Sequence, residues 1–531
     1  MDKCGLSSIV TAGESVLGIE FGSTRIKAVL IGPSNDVIAM GTYTWENQLI
    51  NQLWTYSTQM IQQGLQEAYL DLKNNVRDLY NIELISIKSI GISAMMHGYI
   101  PLDENNNLLV PFRTWRNTNT VNAAEKLTEL FNFNIPLRWS VSHLYQSILD
   151  KEGHVKEIKK ITTLAGYIHL LLTGKHVLGV GDASGMFPIS SDGKGYDNKK
   201  LNQFQDLIRG YQFPWEIKDI LPNVMFAGEV AGQLTAEGAL LLDPEGDLKS
   251  GSLMCPPEGD AGTGMIATNS IKPRTGNISA GTSIFSMIVL EKPLQNNYPE
   301  IDIVTTPVGD AVAMVHANNC TTELNSWMNL FKELAHLVKS DIDAEDLYSI
   351  VFNNIPKDTM SDEPLLVYPY HSGEDITKVS GGCPLFVRTA NSKFNLSTFM
   401  KSQLFGAFAA VALGMQLLTE KEHVNVESIL GHGGIFKTEG IAQRYLACAL
   451  HVPVEVMSTA SEGGAWGIAI LANYINYSSQ MSLNEFLSEH VFKDIMSLKV
   501  NPQVDDMKEF DQFLANFKVG LAIEQKADQL I

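Results

Sequence analysis

The sequence predicts an α/β protein, because strand and helix patterns alternate in both halves of the chain. Two apolar strands near 16–22 and 26–32 open the first half, and a similar pair within 276–290 restarts the pattern after Asp260. Each pair encloses a turn of glycine and hydroxyl residues. The chain therefore repeats one strand-turn-strand unit at the interval of a domain.

The other elements follow from apolar runs bounded by turn residues. In the first half we predict strands at 37–43 and 89–93, helices at 53–79, 121–131, 143–150 and 154–173, and a long loop at 181–198. In the second half we predict strands at 311–315, 428–430 and 452–456, and helices at 321–338, 344–352, 397–420, 439–450 and 462–477. Residues 1–14 are predicted as a tail, and 481–531 as amphipathic helices.

The composition is typical of a soluble globular protein, since 45% of the 531 residues are hydrophobic and 18% are charged. One hydrophobic core rarely serves a chain of that length, so more than one domain is expected. The net charge of −20 argues against a nucleic-acid partner, because nucleic-acid binding needs a basic surface.

Cysteine usage and apolar runs favour a cytoplasmic protein with no membrane partner. The five cysteines are far apart and form no CxxC pair, which is typical of free thiols in a reducing compartment. The N-terminal tail lacks the long apolar core of a signal peptide. The most apolar stretch, Leu404 to Leu418, is too short to cross a bilayer and predicts a buried helix.

The two glycine-hydroxyl turns are candidates for phosphate binding. Their residues are Gly22, Ser23, Thr24 and Lys27 in the first hairpin, and Gly281, Thr282 and Ser283 in the second. Glycine lets the backbone approach a ligand, and N–H groups and hydroxyls can hold anionic oxygens. Glu20 is the candidate contact to Mg²⁺, which prefers oxygen ligands. The alternative interpretation of this segment is an ordinary surface hairpin.

Asp260 is the candidate general base. It lies between Gly259 and Ala261 at the start of a helical pattern, where small neighbours leave room for a substrate. A carboxylate so placed can accept the proton of a hydroxyl group that attacks phosphorus. The alternative interpretation is an ordinary helix N-cap.

Three further segments offer groups that suit a sugar or a nucleoside. His97 follows the strand at 89–93, and Trp115 lies with Asn117 in one short polar segment. Indole faces commonly stack on sugars, while a structural histidine and a core tryptophan are the alternatives. Adjacent glycines after the strand at 428–430 allow a base or ribose to approach, although such pairs also form ordinary turns. The residues of this last segment are Gly433, Gly434 and Lys437.

Taken in their order along the chain, the motifs resemble those of the FGGY family of carbohydrate kinases, within the actin, hexokinase and heat-shock ATPase superfamily. The matching segments, within about residues 16–475, are Gly18 to Lys27, Met96 to Gly98, Asp182 to Gly185, Gly228 to Thr235, Gly259-Asp260, Gly281 to Ser283 and Gly433-Gly434. The form of the Met96 segment is similar to that of xylulose kinases.

The resemblance implies two ribonuclease-H-like domains that close over a cleft holding ATP and a sugar. It implies that Asp260 is the general base, that Glu20 and Asp260 contact Mg²⁺, and that ATP donates its γ-phosphate. Met96, His97, Trp115 and Asn117 would then contact the sugar. The domains expected are 14–265 on the sugar side, 266–480 on the nucleotide side, and a helical extension at 481–531.

Three positions depart from the family's pattern. Glu20 and Asn117 stand where Asp is usual, and the adenosine motif has Ile435-Phe436 before Lys437 and Cys448 where Asp is common. The leading hypothesis is a kinase for the terminal hydroxyl of a ketopentose such as D-xylulose. The alternatives are a kinase for ribulose, another pentulose or a polyol, and a sugar-sensing homologue that has lost catalysis. A homodimer is left open.

Overall fold

The computed structural model describes residues 3–530 except 339, 341, 356–359, 361–362, 364 and 458–462. The chain divides into two compact units. The first comprises Met1–Ile271, Ile303–Val312 and Glu462–Asp494, and the second comprises Lys272–Asp302, Ala313–Ser461 and Ile495–Ile531. Each unit contains a sheet and helices, so the predicted α/β class is confirmed.

The strands are β1 (Val16–Phe21), β2 (Arg25–Ile31), β3 (Val37–Thr44), β4 (Gln48–Ile50), β5 (Leu53–Thr55), β6 (Ser89–Ala94), β7 (Ile100–Leu102), β8 (Lys160–Thr162), β9 (Val177–Gly179), β10 (Asn223–Met225), β11 (Leu253–Met254), β12 (Glu258–Gly259), β13 (Thr275–Ala280), β14 (Ile284–Val289), β15 (Ile301–Thr305), β16 (Ala311–Ala317), β17 (Leu365–Tyr368), β18 (Leu385–Arg388), β19 (Ser428–His432), β20 (Val454–Met457) and β21 (Ser497–Val500).

The helices are α1 (Lys3–Thr11), α2 (Thr58–Tyr80), α3 (Val121–Phe131), α4 (Ser140–Leu149), α5 (Leu164–Thr173), α6 (Val180–Ala183), α7 (Asn198–Ile208), α8 (Ile217–Ile220), α9 (Ala236–Leu242), α10 (Asp260–Ala267), α11 (Thr321–Leu337), α12 (Ala344–Asn354), α13 (Leu396–Gln416), α14 (Ile441–Leu450), α15 (Gly463–Tyr474), α16 (Leu483–Phe486) and α17 (Val504–Leu530).

The first sheet has the strand order β11-β6-β1-β2-β3, with β12 also paired to β6. Strands β1, β6 and β12 are parallel, so their carboxyl ends lie at one edge of the sheet. Phe21 pairs with Ala94, and Ala94 pairs with Gly259. The register therefore brings together the residues that follow these strands, namely the Gly22 turn, the Met96 segment and Asp260.

The second sheet has the strand order β15-β16-β14-β13-β19-β20-β21. Its β13–β14 hairpin is antiparallel, as is β1–β2 in the first sheet, so the repeated strand-turn-strand unit is confirmed. Strand β19 runs parallel to β13, with Ser279 opposite His432. The Gly281 turn and the Gly433 turn consequently follow neighbouring strands at one edge of this sheet.

Helix α15 packs tightly on the first sheet because glycines line the contact. A Cβ atom added to Gly18 of β1 would lie 2.2 Å from the Ala465 carbonyl oxygen, and one added to Gly91 of β6 would lie 2.6 Å from Ile468 Cγ1. This packing assigns the described part of 462–480 to the first unit, whereas the sequence had grouped it with 266–480. Residues 481–531 are likewise shared between the units, with 481–494 in the first.

Several elements differ from the sequence predictions. Helix α2 begins at Thr58 rather than 53, because Leu53–Thr55 pairs with Gln48–Ile50. The helix predicted at 154–173 is divided by β8, and only α5 is α-helical, with Thr163 as its N-cap. Part of the predicted loop at 181–198 is helix α6. The predicted tail contains helix α1, which buries Val10, and the predicted helical extension contains strand β21.

The buried helix predicted from Leu404 to Leu418 is confirmed: α13 covers it as far as Gln416, and Leu417 and Leu418 lie in the π-helical turn that follows. The helical stretch Leu396–Lys421 is long and apolar enough to cross a membrane by length and composition, but 78% of its apolar window is buried inside the protein. Such burial is expected of a core helix in a globular protein. The apolar composition of α13 is therefore explained by packing within the second unit.

Candidate active site

The first candidate phosphate turn, Gly22-Ser23-Thr24, has its carbonyl groups fixed by hydrogen bonds from Trp45 and Tyr56. Trp45 Nε1 donates to the Gly22 oxygen at 2.7 Å, and Tyr56 Oη donates to the Ser23 oxygen at 2.6 Å. Trp45 N donates to the Thr24 oxygen at 3.1 Å. In the described part of the chain, the Ser23 and Thr24 N–H groups have no hydrogen-bond acceptor. The turn thus presents N–H groups that an anion can accept.

The second candidate phosphate turn, Gly281-Thr282-Ser283, also has its carbonyl groups engaged. Cys320 N donates to the Thr282 oxygen at 2.9 Å, and Thr321 N and Oγ1 donate to the Gly281 oxygen at 3.1 and 2.7 Å. Among the described residues, the Thr282 and Ser283 N–H groups find no acceptor. The carbonyls of both turns are therefore engaged, which is the arrangement expected of a backbone anion site.

The candidate adenosine segment follows β19. Gly433 has φ 120°, and a Cβ atom there would lie 2.2 Å from the Ala280 carbonyl oxygen, so the close approach of two backbones requires glycine. Gly434 borders open space, and Lys437 is exposed, 3.7 Å from Glu345. The unusual Ile435-Phe436 pair is buried, which explains its apolar character by core packing. Cys448 is also buried and accepts a hydrogen bond from Gln503 N at 3.3 Å.

Asp260 is the first residue of α10, directly after β12. Met96 N and Ala261 N both donate to its Oδ1, at 3.1 and 3.0 Å. The side chain is open to solvent, yet the protein around it removes enough water to raise the pKa of Asp260 to about 6, a rise that the Met96 and Ala261 donors limit. This carboxylate is ionised at neutral pH and can still accept a proton.

Glu20 lies on β1 opposite Lys27 on β2. Burial and the negative charge of Asp260 raise the pKa of Glu20 to about 7, while the Lys27 charge opposes the rise. Two carboxylates that repel each other are a donor set that suits a hard divalent cation. Mg²⁺ needs only one or two protein carboxylates when a nucleotide supplies phosphate oxygens, so these residues fit it. In the described ranges, no group of three or more His, Cys, Asp or Glu side chains could hold a metal ion.

The Met96-His97-Gly98 segment is held against Gly185. His97 has φ 71° and is buried, and its Nδ1 lies 3.2 Å from the Gly185 carbonyl oxygen. Burial, assisted by the Arg138 charge, holds the pKa of His97 well below its ordinary value, so the imidazole is neutral. A Cβ atom on Gly185 would lie 2.5 Å from His97 Nδ1. The glycine of the Asp182–Gly185 motif therefore makes room for the histidine.

Asn117, which is expected to contact the sugar, bonds backbone groups of Trp54 and Thr114 in the structure. Its Oδ1 accepts from Trp54 N at 2.8 Å, and its Nδ2 donates to the Trp54 oxygen at 2.8 Å and the Thr114 oxygen at 3.0 Å. An aspartate could not make the two donor contacts, which explains why the amide is present. Trp115, in the same segment, has 37% of its surface exposed and is free to present an indole face.

Two buried carboxyl groups beside Asp260, those of Glu258 and Asp182, had no role predicted from the sequence. Glu258 precedes Gly259 and accepts hydrogen bonds from Asp182 N at 2.9 Å and Gly181 N at 3.3 Å. Burial and the nearby Asp182 charge raise the pKa of Glu258 to about 8, and burial raises the pKa of Asp182 to about 7. Through these bonds, Glu258 links the segment Asp182–Gly185, which contacts His97, to the segment that contains Asp260. The sequence did not predict this burial, because a glutamate is usually exposed.

Comparisons with known proteins agree with this geometry. Residues 15–243 match the N-terminal domain of the FGGY family of carbohydrate kinases, and 276–475 match its C-terminal domain. A xylulose kinase of Haemophilus influenzae is 23% identical over 526 residues, covering 95% of this chain and 99% of that protein.

Two solved structures show the same fold. A gluconate kinase from Lactobacillus acidophilus has a TM-score of 0.77 at 17% identity and covers 96% of this chain and 98% of its own. A xylulose kinase from Rhodospirillum rubrum has a TM-score of 0.76 at 15% identity and covers 97% of this chain and 100% of its own. The chain belongs to the FGGY family of carbohydrate kinases, and it is a sugar kinase that uses ATP.

Proposed function

We propose that this kinase transfers the γ-phosphate of ATP to the terminal hydroxyl of a ketopentose, with D-xylulose as the first candidate and Asp260 as the general base. The observation that carries the proposal is the Asp260 carboxylate, which two backbone N–H groups orient while its side chain is open to solvent. The similarity to proteins named xylulose kinase supports the choice of sugar.

The chain's own residues account for the main requirements of phosphoryl transfer. As the sugar oxygen attacks the γ-phosphorus, its proton passes to Asp260, the bond from the γ-phosphorus to the bridging oxygen breaks, and ADP leaves. The N–H groups of Ser23 and Thr24 hold phosphate oxygens, as do those of Thr282 and Ser283. Lys27 adds positive charge beside the first turn. Gly433, Gly434 and Lys437 serve the adenosine part of the nucleotide.

Glu20 and Asp260 are the residues that would hold Mg²⁺, which neutralises phosphate charge during phosphoryl transfer. Met96, His97 and Trp115 form the sugar side: Met96 orients the base through its N–H group, neutral His97 can hydrogen-bond a hydroxyl, and Trp115 offers an indole face. We assign Asn117 to the support of the Trp54 backbone rather than to the sugar itself.

The test is ADP release with Mg-ATP and a panel of D-xylulose, ribulose, other pentuloses, gluconate, glycerol and further polyols, with a no-sugar control. We expect the largest kcat/KM with D-xylulose and phosphorus on its terminal oxygen by nuclear magnetic resonance. A larger kcat/KM with another acceptor would replace the sugar in the proposal. No acceptor above the control would overturn it.

A further inference from the structure

We propose that Glu374 is a positioning residue for the Gly281-Thr282-Ser283 turn, acting through Asn318 and Asn319. The inference rests on the proposed phosphate-binding role of that turn. All of these residues belong to the second unit. Among the described residues, the Glu374 side chain bonds Asn318 and Asn319 and not the turn itself, so its effect is transmitted by a short series of hydrogen bonds.

The first link is a buried carboxylate. Glu374 is 0% exposed, and its Oε2 accepts from Asn318 N at 2.8 Å and from Asn319 Nδ2 at 3.3 Å. Burial raises the pKa of Glu374 to about 7, while the donors from Asn319 and Asn318 oppose the rise. Removing this acceptor leaves Asn318 N without its partner, which is unfavourable for a buried donor, whereas Asn319 Nδ2 keeps the Ser372 oxygen at 3.2 Å.

The second link joins the same two segments in the opposite direction. Asn319 Oδ1 accepts from His371 N at 2.9 Å and from Ser372 N at 3.2 Å, and Asn318 Nδ2 donates to the Gly373 oxygen at 2.8 Å. The segment 371–374 therefore holds Asn318 and Asn319 by both backbone and side-chain groups. A shift of this segment must move the two asparagines with it.

The third link connects Asn319 to the turn through the two residues that follow it in the chain. Asn319 is followed by Cys320 and Thr321, whose N–H groups donate to the Thr282 and Gly281 carbonyl oxygens. These bonds fix the direction of the turn's peptide groups, and hence of the N–H groups proposed to face phosphate. Phosphate sites need placement within about half an ångström, so loss of the Glu374 contact should weaken nucleotide binding.

The experiment compares Glu374→Ala and Glu374→Gln with Glu333→Ala, an exposed control on α11. Hydrogen exchange without nucleotide reports the link itself: we expect amides at 318–321 to exchange about tenfold faster in Glu374→Ala. We expect KM for ATP to rise roughly tenfold, with KM for the sugar within about twofold. Glu374→Gln retains an acceptor oxygen, so its exchange rate at 318–321 and its KM for ATP should both stay close to those of the unmodified protein. Glu333→Ala should match the unmodified protein.

Unchanged exchange at 318–321 in Glu374→Ala would overturn the inference. So would faster exchange with normal KM for ATP, if Thr282→Pro, which removes one of the N–H groups proposed to face phosphate, raises that KM. Normal KM for ATP in both Thr282→Pro and Glu374→Ala, with faster exchange, would overturn the phosphate role of the turn instead. If Glu374→Ala does not fold, Asn319→Ala breaks the same link and is held to the same criteria.

Discussion

The carboxylate of Glu20 lies directly against the backbone of Gly464, so that a Cβ atom at position 464 would be 1.9 Å from Glu20 Oε1. Gly464 also faces Thr263, whose Oγ1 would be 2.7 Å from the same Cβ atom. Absence of a side chain at 464 thus makes room for a glutamate where the family usually has the shorter aspartate. The departure at Glu20 is accommodated by a residue that is remote in sequence.

Gly464→Ala should displace the Glu20 carboxylate and lower kcat by about tenfold or more, because misplacement near the reacting groups by about 1 Å weakens catalysis strongly. We also expect a fall in the melting temperature from overpacking. The measurements are steady-state kinetics and thermal unfolding. Gly210→Ala is the matched control, since a Cβ atom there would meet nothing within 4 Å. Equal kinetics for the two variants would contradict this account of Glu20.

Glu20→Gln should raise the Mg²⁺ concentration needed for half-maximal activity by about tenfold, because a neutral amide is a weaker ligand for a hard cation. The measurement is a Mg²⁺ titration at saturating sugar and one fixed ATP concentration, starting below that ATP concentration so that the nucleotide-bound ion is titrated. Glu216→Gln, at an exposed glutamate in the same unit, is the control. An unchanged titration would remove Glu20 from the metal site.

Asn117→Asp should lower the free energy of unfolding by about 1–3 kcal/mol, because Nδ2 no longer donates to the Trp54 and Thr114 carbonyl oxygens. The new carboxylate would face those oxygens without a donor. Chemical denaturation measures the loss, and Asn329→Asp on the exposed surface of α11 is the control. A stable variant with tighter sugar binding would show instead that position 117 contacts the sugar.

Stability should fall as pH rises across the titration of Glu258. Its pKa is raised by burial from an ordinary 4.5 to about 8, so the folded state favours the protonated form. The stabilisation is fully present below the ordinary pKa and is lost as pH rises through the folded-state pKa. Glu258→Gln removes this titration, so its melting temperature should fall less between pH 5.5 and 8.5, as approximate limits around these values, than that of the unmodified protein. Parallel curves would contradict the assignment.

Local pattern was enough to predict the two hairpin turns and the position of Asp260. Glycine and hydroxyl residues between apolar strands specify a turn through neighbouring residues alone, and Asp260 directly follows a short strand. The roles of Gly464 and Glu374 could not be predicted, because each depends on a contact with a residue far away in sequence. Asn117 illustrates the same limit, because its amide bonds the backbone of Trp54, which is 63 residues away in the chain.

The most direct test of the central claim is the turnover of Asp260→Asn with the best sugar, beside Asp219→Asn as an exposed control. Loss of the general base should lower kcat by about 10²-fold or more while ATP still binds. Because the surrounding protein removes water from Asp260 and raises its pKa to about 6, kcat/KM of the unmodified protein should fall as pH drops through that value. If Asp260→Asn keeps more than about a tenth of the turnover, Asp260 is not the base.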